Sequence, residues 1–581
     1  MNNFITFFDK KILNPSANYL YYGHVTNEIN NFQKNNSFFK IASIATSKDE
    51  KKNNYEKCEK IFNKIIKNLS RELNRLHNLN YDQRIWEIIF GRWIKDFIYI
   101  CFRNFHSIEI VINNSEIKKI YSTNDKNEQF VTNNWFSLYY SSLSEKWVSN
   151  LNYKILKFLV PTKEIEVIEN FEYNYKKKNN IDNKSFLDNY FLNLGIKFYN
   201  IFRNNIKTKN EIFFYNSGLS LLAEKKIETL LGQIPSFRKF PEHYYNDTIN
   251  YGFRENLIID FEAENKFELF LKQIIKMSLP KFIIEEFRQI NVVLDNLKLP
   301  NDVNSVITGT GFVNEFFNIY VAKNVSKKKK YLILQHGNAY YTNYANDYLV
   351  ESQTADYTIS WGAKVKNTDI PAFNIKTIKT RNKFNLKGNL TIVCNKIASR
   401  AEPFDSFFEK EKRMLNIINF AKNLDNNIKE KTFFRFFPIN EEYNGSFKSM
   451  LLENNIKNYK DYLPFHQILR NTRICLFNYD STGFYENLHN QIPSIVFLED
   501  PFEELHDKFV KEYQLLQKSK IIFSNQTDLY NHLNNIWDDP LSWWKDKTTQ
   551  QAINSFNEKL NIPSNGKMNK LIKILKDMKN N

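Results

Sequence analysis

The chain has 581 residues and a formal net charge of +17, and 42% of its residues are hydrophobic and 16% aromatic. This length exceeds one ordinary core and predicts two or three domains, and the apolar content excludes a globally disordered chain. The basic balance suits an anionic partner, although charge dispersed in short lysine runs is equally typical of an ordinary solvated surface.

The first part of the chain predicts short strands followed by helices. Apolar runs at residues 19–24 and 38–45 have the length of strands. Apolar residues recur at helical spacing in three later segments, which are 55–79, 82–97 and 267–288. Asp82 stands where an N-cap residue would begin the second of these helices.

From residue 305 onward, predicted strands and helices alternate. Strands at 305–309 and 331–334 flank a helix at 312–322. After a polar, basic connector at 375–388, strands are predicted at 390–394, 433–436, 474–477 and 494–497, with helices at 404–424, 462–470 and 483–489. Such alternation is typical of a parallel, doubly wound sheet.

The predicted fold class is therefore α/β, with two Rossmann-like, doubly wound lobes that face a central cleft and carry helical additions. Ligands of open α/β sheets bind outside the carboxyl ends of the strands, so two such strand ends are expected to meet in the cleft. The predicted divisions are an N-terminal acceptor-side lobe at 1–380, a C-terminal donor-binding lobe at 388–545 and a helical tail at 546–581.

The first candidate site follows the predicted strand 331–334, which ends at Gln335-His336-Gly337. A histidine at a strand end suits a general base or a donor to a leaving group, and Gly337 permits close backbone approach. A structural histidine in a loop fits the same pattern. Downstream, Glu351 and Asp356 are candidate acid–base groups, although surface carboxylates are common.

The second candidate site follows the predicted strand 474–477. Ser481 and Thr482 are placed to cap a helix whose first turn would receive a phosphate, and Glu486 lies one turn further, where it suits ribose hydroxyls. An ordinary helix cap is the alternative interpretation. Arg435 stands within an aromatic strand and needs a partner or an anion, for which a phosphate is suitable.

Weaker candidates lie on the acceptor side. They are Arg84 and Trp86 on the helix 82–97, and Trp361 in Ser360-Trp361-Gly362, although aromatic residues at this spacing more often form a core. The sequence has no G-x-x-x-x-G-K-[ST], G-x-G-x-x-G or H-E-x-x-H motif and no D-x-D in a convincing context. These absences argue against a P-loop, a dehydrogenase-type Rossmann site, a zincin and a metal-dependent transferase.

Four widely spaced cysteines, at positions 58, 101, 394 and 475, form no C-x-x-C pair and fit a reducing compartment. The sequence shows neither a signal peptide nor a run of about 18 apolar residues. We therefore expect a cytoplasmic protein, with peripheral attachment to the inner face of the membrane left open.

Taken together, these residues resemble a family of bacterial surface-carbohydrate transferases associated with O-antigen and other surface-glycan synthesis. The matching segments run in order along nearly the whole chain, at 81–86, 91–93, 335–337, 360–362, 481–482, 486, 493, 536–539 and 543–544. The family more often has a second glycine after His-Gly, where this chain has Asn338, and often a leucine where it has Tyr485. The backbone cradle near His336 is therefore expected to differ.

The resemblance implies a GT-B-like architecture, and it extends more distantly to capsule 3-deoxy-octulosonate transferases and CDP-glycerol glycerophosphotransferases. It implies metal-independent transfer of a sugar, such as a nonulosonic or octulosonic acid, from a CMP-activated donor to a surface glycan, a lipid-linked glycan or a protein. No cofactor besides this donor and no nucleic-acid partner is expected, and an anionic membrane surface is a candidate partner. Two alternatives remain open: a CDP-polyol phosphotransferase, and a non-catalytic basic protein that binds membrane or nucleic acid.

The leading hypothesis assigns a role to each candidate residue. His336, Glu351 and Asp356 would be catalytic, and Arg84, Trp86 and Trp361 would contact the acceptor. The donor nucleotide would be bound by Arg435, Ser481, Thr482, Glu486 and Gly337.

Overall fold

The computed structural model describes most of the chain. The residues described are 2–7, 13–14, 17–23, 38–40, 44–123, 130–168, 195, 198–199, 203, 211–237, 240–241, 245–297, 299–300, 303–378, 384–395, 401–404, 406–437, 441–564 and 568–580. Within these ranges, every helix is either too short or too polar to cross a membrane.

The described strands are short and fall into three groups along the chain. The first group is β1 Asn2–Ile5, β2 Tyr19–Tyr21, β3 Phe38–Lys40, β4 Ile117–Thr123 and β5 Ile165–Ile168. The second group is β6 Glu211–Phe214, β7 Val303–Thr308, β8 Lys330–Leu334, β9 Tyr357–Ser360 and β10 Asp369–Pro371. The third group is β11 Asn389–Val393, β12 Thr432–Arg435, β13 Lys457–Asn458, β14 Thr472–Phe477, β15 Ser494–Phe497 and β16 Ile522–Phe523.

Each group of strands forms one parallel sheet. The strand orders are β3-β2-β1-β4-β5 in the first sheet, β10-β9-β8-β7-β6 in the second and β13-β12-β11-β14-β15-β16 in the third. The third order reverses between β11 and β14, which creates a crevice at the carboxyl ends of these two strands. The predicted parallel α/β class is confirmed.

In addition to the sheets of the two predicted lobes, the segment before residue 168 builds a sheet of its own. Four strands of this sheet have only three or four residues, which is too short for a clear alternation of apolar and polar positions. The predicted connector at 375–388 lies between β10 and β11, and residues 379–383 of it lie outside the described part of the chain.

Helices connect and cover the three sheets. In the region of the first two sheets they are α1 Lys48–His77, α2 Gln83–Trp86, α3 Arg92–Asn114, α4 Trp135–Ser141, α5 Glu145–Leu159, α6 Leu221–Leu230, α7 Tyr251–Glu255, α8 Lys266–Ser278, α9 Lys281–Ile284, α10 Phe287–Asn296, α11 Glu315–Val325, α12 Ala339–Thr342 and α13 Val350–Thr354. In the remainder they are α14 Ser406–Lys422, α15 Asn426–Lys429, α16 Glu441–Glu453, α17 Phe465–Leu469, α18 Thr482–His489, α19 Val510–Lys518, α20 Gln526–Ile536, α21 Pro540–Trp544, α22 Lys547–Leu560 and α23 Met568–Asn580.

Local sequence signals explain several helix boundaries. The predicted Asp82 cap is confirmed, since its side chain accepts a hydrogen bond from the amide of Ile85 at 2.9 Å. The helix predicted over 267–288 is instead divided into α8, α9 and α10. Pro280 separates α8 from α9, because it has no N–H to continue a helical ladder.

A π-helical turn at Glu87–Gly91 joins α2 to α3. A side chain at Gly91 would place its Cβ 3.1 Å from Cγ1 of Val350, so the glycine lets α13 approach this turn closely. Turns of this kind are frequent at functional sites, because the extra residue redirects the side chains that follow. Here Arg92 and Glu351 are brought together.

Strand alternation divides the core of the third sheet between its two faces. In β14, Ile474 and Leu476 pack into a core within the third sheet, while Cys475 and Phe477 join the large core that extends through the other two sheets. This large core fixes the second and third sheets against each other.

The C-terminal segment packs back onto the second sheet. Ile562 donates its backbone N–H to Trp361 and accepts one from Asn374. At the end of α23, carbonyl oxygens of Met578 and Lys579 accept hydrogen bonds from side chains of β8 and β7. The predicted helical tail therefore belongs to the packing of the second sheet as well as the third.

Candidate active site

A cavity of about 420 Å³ lies between the second and third sheets. It is lined by segments that follow the carboxyl ends of β8, β11, β14 and β15, and by side chains of α1 and α3. Asn395, just after β11, donates its backbone N–H to the side chain of Asn478, just after β14, at 2.7 Å. The cavity therefore opens at the point where the strand order reverses, and its volume is typical of a small-molecule site.

The two segments singled out in the sequence meet at this cavity. The hydroxyl of Thr482 donates to Oδ1 of Asn338 at 3.2 Å, and the backbone N–H of Asn338 lies 3.4 Å from the same hydroxyl. An added Cβ at Gly337 would lie 3.7 Å from Thr482 Oγ1. The strand end after β8 and the first turn of α18 thus face each other directly.

Asp480 is the carboxyl group at the centre of the contact between the lobes. Its Oδ2 accepts hydrogen bonds from the hydroxyls of Tyr513 at 2.6 Å and Thr342 at 3.2 Å, whereas its buried Oδ1 accepts none from any described residue. Burial raises the pKa of Asp480 to about 6, although these hydrogen bonds act in the opposite direction. This carboxyl is ionised at neutral pH and binds a proton more readily than an ordinary aspartate.

Glu351 supplies a second carboxyl group to the cavity and is 4% exposed. Its Oε1 accepts a hydrogen bond from Tyr340 at 3.0 Å and pairs with Arg92 at 3.3 Å. Its buried Oε2 receives no hydrogen bond from a described residue. A buried carboxylate oxygen in this state is suited to accept a hydroxyl or an amino group of a ligand.

The charged side chains of the cavity wall are more acidic than basic. Four are cations and six are carboxylates: Arg92, Lys95, Lys410 and Arg413, against Asp96, Glu351, Glu402, Asp480, Asp500 and Glu504. Each cation has an ion pair: Arg92 with Glu351, Lys95 with Glu59, Lys410 with Glu402 and Arg413 with Glu504. The described lining therefore carries a formal charge of −2, with its cations already paired.

His336 lies beside the cavity, among aromatic rings. Its ring centroid is 4.8 Å from that of Tyr340 in an edge-to-face contact and 5.9 Å from that of Phe312. The cavity wall begins two residues later, at Asn338. His336 is therefore adjacent to the strand-end contact with Thr482, outside the cavity wall.

Arg435 ends β12 and its guanidinium lies 5.3 Å from the ring centroid of Phe465. No carboxylate of the described residues lies within ion-pair distance of it, and its buried Nε has no hydrogen-bond acceptor there. Burial lowers the pKa of Arg435, and the nearby Tyr479 acts in the opposite direction. This strand-end cation lies outside the cavity wall and has no ion pair with a described residue.

Ser481 and Glu486 differ from Thr482 in their surroundings. Ser481 is buried, and its hydroxyl accepts the N–H of Phe484 at 3.1 Å, which is the ordinary capping role. Glu486 lies outside the cavity wall, where burial raises its pKa and the charge of Lys376 acts in the opposite direction. Of these three predicted donor contacts, Thr482 is the one that lines the cavity.

Arg84 and Asp356 lie away from the cavity, at the amino ends of β8 and β9. Their side chains pair at 2.7 Å, and Asp356 also accepts the backbone N–H of Tyr331 at 2.8 Å. The catalytic role of Asp356 and the acceptor role of Arg84 stay predictions, and neither residue lines the cavity. Both residues fasten α2 to the second sheet.

Trp86 and Trp361 are core residues outside the cavity wall, and their acceptor roles stay predictions. Trp86 is fully buried and donates its indole N–H to Asn74 at 3.0 Å. Trp361 is 1% exposed and donates its indole N–H to the carbonyl of Gln335 at 2.8 Å. The latter contact holds the backbone just before His336, so Trp361 positions this strand end.

Sequence reasoning missed three polar residues of the cavity. Asp480 is the first carboxylate after a recognised strand, and its position alone could have marked it. Arg92 follows Gly91 within an aromatic helix, a pattern that was assigned to the core. Asn338 replaces the expected second glycine, and its buried Nδ2 has no acceptor among the described residues.

Three comparisons bear on identity. No curated protein sequence matches the chain. Among solved structures it is similar to Anabaena HepE in complex with UDP-glucose, with 9% identity and a TM-score of 0.34, over 63% of this chain and 99% of that one. It is also similar to a UDP-glucose: anthocyanidin 3-O-glucosyltransferase in complex with UDP, with 10% identity and a TM-score of 0.32, over 64% and 100% of the respective chains. These likenesses are too distant to assign any residue or ligand. The LIC12162 family of transferases matches residues 3–575.

Proposed function

The chain belongs to the LIC12162 family of transferases, and from that premise we propose that it is a glycosyltransferase that uses a nucleotide-activated donor. The observation that carries the proposal is one shared cavity. A helix N-terminus with Thr482 and Gly483 lines it together with two carboxyl groups, Asp480 and Glu351. An anion site beside proton-accepting groups is what transfer from a phosphate-linked donor to a hydroxyl requires.

The donor phosphate binds at the first turn of α18. Amide groups at a helix N-terminus lack internal acceptors, and the helix dipole favours negative charge there. Arg435 lies over Phe465, whose ring also contacts the position of Gly483, so the guanidinium is near the same turn. The family resemblance supports a CMP-linked donor, including one whose sugar is a nonulosonic or octulosonic acid.

Transfer makes one bond and breaks one at the anomeric carbon. The acceptor oxygen bonds to that carbon while the bond to the phosphate oxygen breaks, and the nucleotide leaves with the electron pair. Asp480 takes the proton of the acceptor hydroxyl, since its pKa of about 6 combines ionisation at pH 7 with useful basicity. His336 donates a hydrogen bond to the leaving phosphate.

Glu351 orients the acceptor through its Oε2, which has no hydrogen-bond partner among described residues. Closing of the two lobes around both substrates supplies much of the rate by positioning. The chemistry assigned to these side chains needs no metal ion, and metal independence remains a prediction.

The acceptor is proposed to be a bacterial surface glycan carried on lipid or protein. The resemblance of the sequence supports this class. The net charge of +17 supports peripheral contact with an anionic membrane face, where each basic side chain contributes about 1 kcal/mol and salt weakens the attraction.

Thermal-shift measurements with CMP, CDP, UDP and GDP test the donor assignment. A nucleotide at about 100 times its Kd stabilises the protein by roughly 2.7 kcal/mol, and we expect the largest shift with CMP. Strongest stabilisation by CDP, with glycerol phosphate transfer, would favour the polyol phosphotransferase. Stabilisation by none of the four would contradict the proposal.

A matched pair of variants separates binding from helix capping. Ser481→Ala with Thr482→Ala removes the hydroxyls at α18, and Ser220→Ala removes the N-cap hydroxyl of α6. Loss of one cap costs about 1 kcal/mol of stability in either helix. Only the α18 variant is expected to lose nucleotide affinity in calorimetry, and equal affinity in both would leave capping alone.

A further inference from the structure

An aromatic surface continues from the cavity along α4. It consists of Trp135, Phe136, Tyr139 and Tyr140, and we call it the aromatic rim. Trp135 lines the cavity, and its ring centroid lies 5.2 Å from that of Phe136 and 5.7 Å from that of Tyr139. The ring of Tyr140 lies 5.3 Å from that of Tyr139, so the contacts are continuous from the cavity to the surface.

The outer part of the aromatic rim is open to solvent. Phe136 is 42% exposed and Tyr140 is 56% exposed, and both belong to the first two turns of one helix. Single exposed apolar side chains are ordinary, but a contiguous group that leads into a ligand cavity marks an interaction site.

The inner part of the rim is held in place by polar contacts. The indole N–H of Trp135 donates to Asp96 at 2.7 Å, and the guanidinium of Arg92 lies 4.3 Å from the centre of a Trp135 ring. Asn134 caps α4 in a reciprocal capping box with Ser137. The ring of Trp135 and the helix that carries the outer rings are therefore fixed, which limits the conformational freedom lost when a flat ligand binds.

The charges of the cavity select among ligands that fit such a surface. Among the described residues, six carboxylates and four ion-paired cations line the wall, so a carboxylated acceptor unit beside Glu351 would meet a surplus of negative charge. The buried Oε2 of Glu351 instead suits a hydroxyl or amino group. Sugar rings also present C–H faces, which pack on aromatic rings while their hydroxyls remain hydrated.

We propose that the aromatic rim is an acceptor subsite that binds the second sugar unit of an extended saccharide without carboxylate groups. The reacting unit lies in the cavity beside Glu351 and Asp480, and the next unit stacks on the exposed rings of Phe136 and Tyr140. This inference rests on the proposed glycosyl transfer. It adds the chemical class of the acceptor and the path along which the acceptor chain leaves the cavity.

Isothermal titration calorimetry with three trisaccharides tests the subsite in the full chain with CMP present. The probes are chitotriose, which carries amino groups, N-acetylchitotriose, which is neutral, and trigalacturonate, which is acidic. The variant is Phe136→Ala with Tyr140→Ala. Because both rings are exposed, their removal disturbs the hydrophobic core little. Tyr462→Ala is the matched control, because this ring is 70% exposed and lies on the third sheet's side, outside the cavity wall.

We expect the neutral or amino trisaccharide to bind the wild type, and its Kd to rise about tenfold in the double variant and to stay unchanged in Tyr462→Ala. Trigalacturonate should bind more weakly than the other two at low salt. The subsite is overturned if the double variant binds like wild type, if the acidic probe binds best, or if no probe binds at millimolar concentration. If the double variant is retained less than the wild type on anionic vesicles but binds the saccharides with the same affinity, the aromatic rim is a membrane contact instead.

The proposed function fails by a different result, which is the absence of stabilisation by any nucleotide. Donor hydrolysis without acceptor provides the internal control. Its rate should be equal in wild type and in the rim variant, because the variant leaves Asp480, Thr482 and Arg435 intact.

Discussion

Asp480 and Asp356 are both aspartates beside a buried parallel strand, but they lie at opposite ends of their strands. Asp480 follows β14, while Asp356 precedes β9. Both oxygens of Asp356 are engaged, one by Arg84 and one by the amide of Tyr331. Asp480 engages one oxygen and leaves Oδ1 without a hydrogen bond from a described residue.

The difference shows how strand direction separates structural from reactive carboxylates. At the amino end of β9, the neighbouring strand β8 and the helix α2 supply donors to both oxygens of Asp356. At the carboxyl end, the chain leaves the sheet and a crevice remains for a ligand. An aspartate next to a strand is therefore not enough to indicate a reactive group. The end of the strand at which the residue lies decides whether it is structural or reactive.

Replacement of Asp480 by Asn gives the largest expected effect. The amide has nearly the same shape but takes no proton, so we expect turnover to fall by about 10²- to 10⁴-fold. The measurement is the initial transfer rate per folded molecule, with the donor that gives the largest thermal shift. Asp356→Asn in the same assay should retain wild-type turnover, and equal losses in both variants would remove the distinction between the two ends.

His336→Ala tests the neighbouring strand end after β8. We expect turnover to fall by roughly 10²-fold, because a hydrogen-bond donor to the leaving phosphate is lost. Nucleotide affinity by calorimetry and the melting temperature should change little. A variant that melts early but keeps its turnover per folded molecule would place His336 with Asp356, among the structural residues.

Asp356→Asn tests the amino-end pair through stability. The change weakens the ion pair with Arg84 and a hydrogen bond to a strand amide, so the free energy of unfolding should fall by about 1–3 kcal/mol. Urea unfolding monitored by tryptophan fluorescence measures it. The free energy of unfolding of Asp480→Asn at pH 7 should fall less than that of Asp356→Asn, or should rise, because the change removes a buried charge. A larger fall in Asp480→Asn than in Asp356→Asn would give Asp480 the structural role.

The pH dependence of kcat/KM gives the smallest expected effect. At the pKa of Asp480 half of the molecules carry a protonated carboxyl, so kcat/KM should be about half of its value at high pH. Burial raises the pKa of Asp480 from an ordinary 3.8 to about 6, so kcat/KM should rise as pH increases through about 6. A raised carboxyl pKa means that the folded state holds its proton more tightly than the unfolded state. This contribution to stability is therefore complete below about pH 4 and is lost as pH rises to about 6.

The contribution of Asp480 to stability is measured by the melting temperature between pH 4 and 7, which can also be determined in variants that lack activity. The part of the profile that falls with rising pH should be absent in Asp480→Asn and present in Asp356→Asn. An unchanged profile in Asp480→Asn would assign the titration to another carboxyl group.

Much of the fold and one side of the site followed from local sequence patterns. The strands β7, β8, β11, β12, β14 and β15 and the cap at Asp82 were predicted, because strand length, apolar runs and capping residues act over a few neighbours. In the first sheet, β2 and β3 lie within the apolar runs 19–24 and 38–45 that were predicted as strands, whereas β1, β4 and β5 were not predicted. The predicted helix over 267–288 was wrong because Pro280 interrupts it.

The sequence by itself determined that Gly337 and Thr482 each follow a buried strand, where chain direction and turn residues place ligand-binding groups. The sequence also predicted that two such strand ends meet in one cleft, and tertiary structure decided that the contact joins Asn338 to Thr482, 144 residues apart. It also decided that Trp86 and Trp361 are core residues. Both oxygens of Asp356 are engaged, whereas Oδ1 of Asp480 has no hydrogen bond from a described residue. Local propensity fixes an element and its end, but burial, ion pairing and the identity of a facing residue depend on how the sheets pack together.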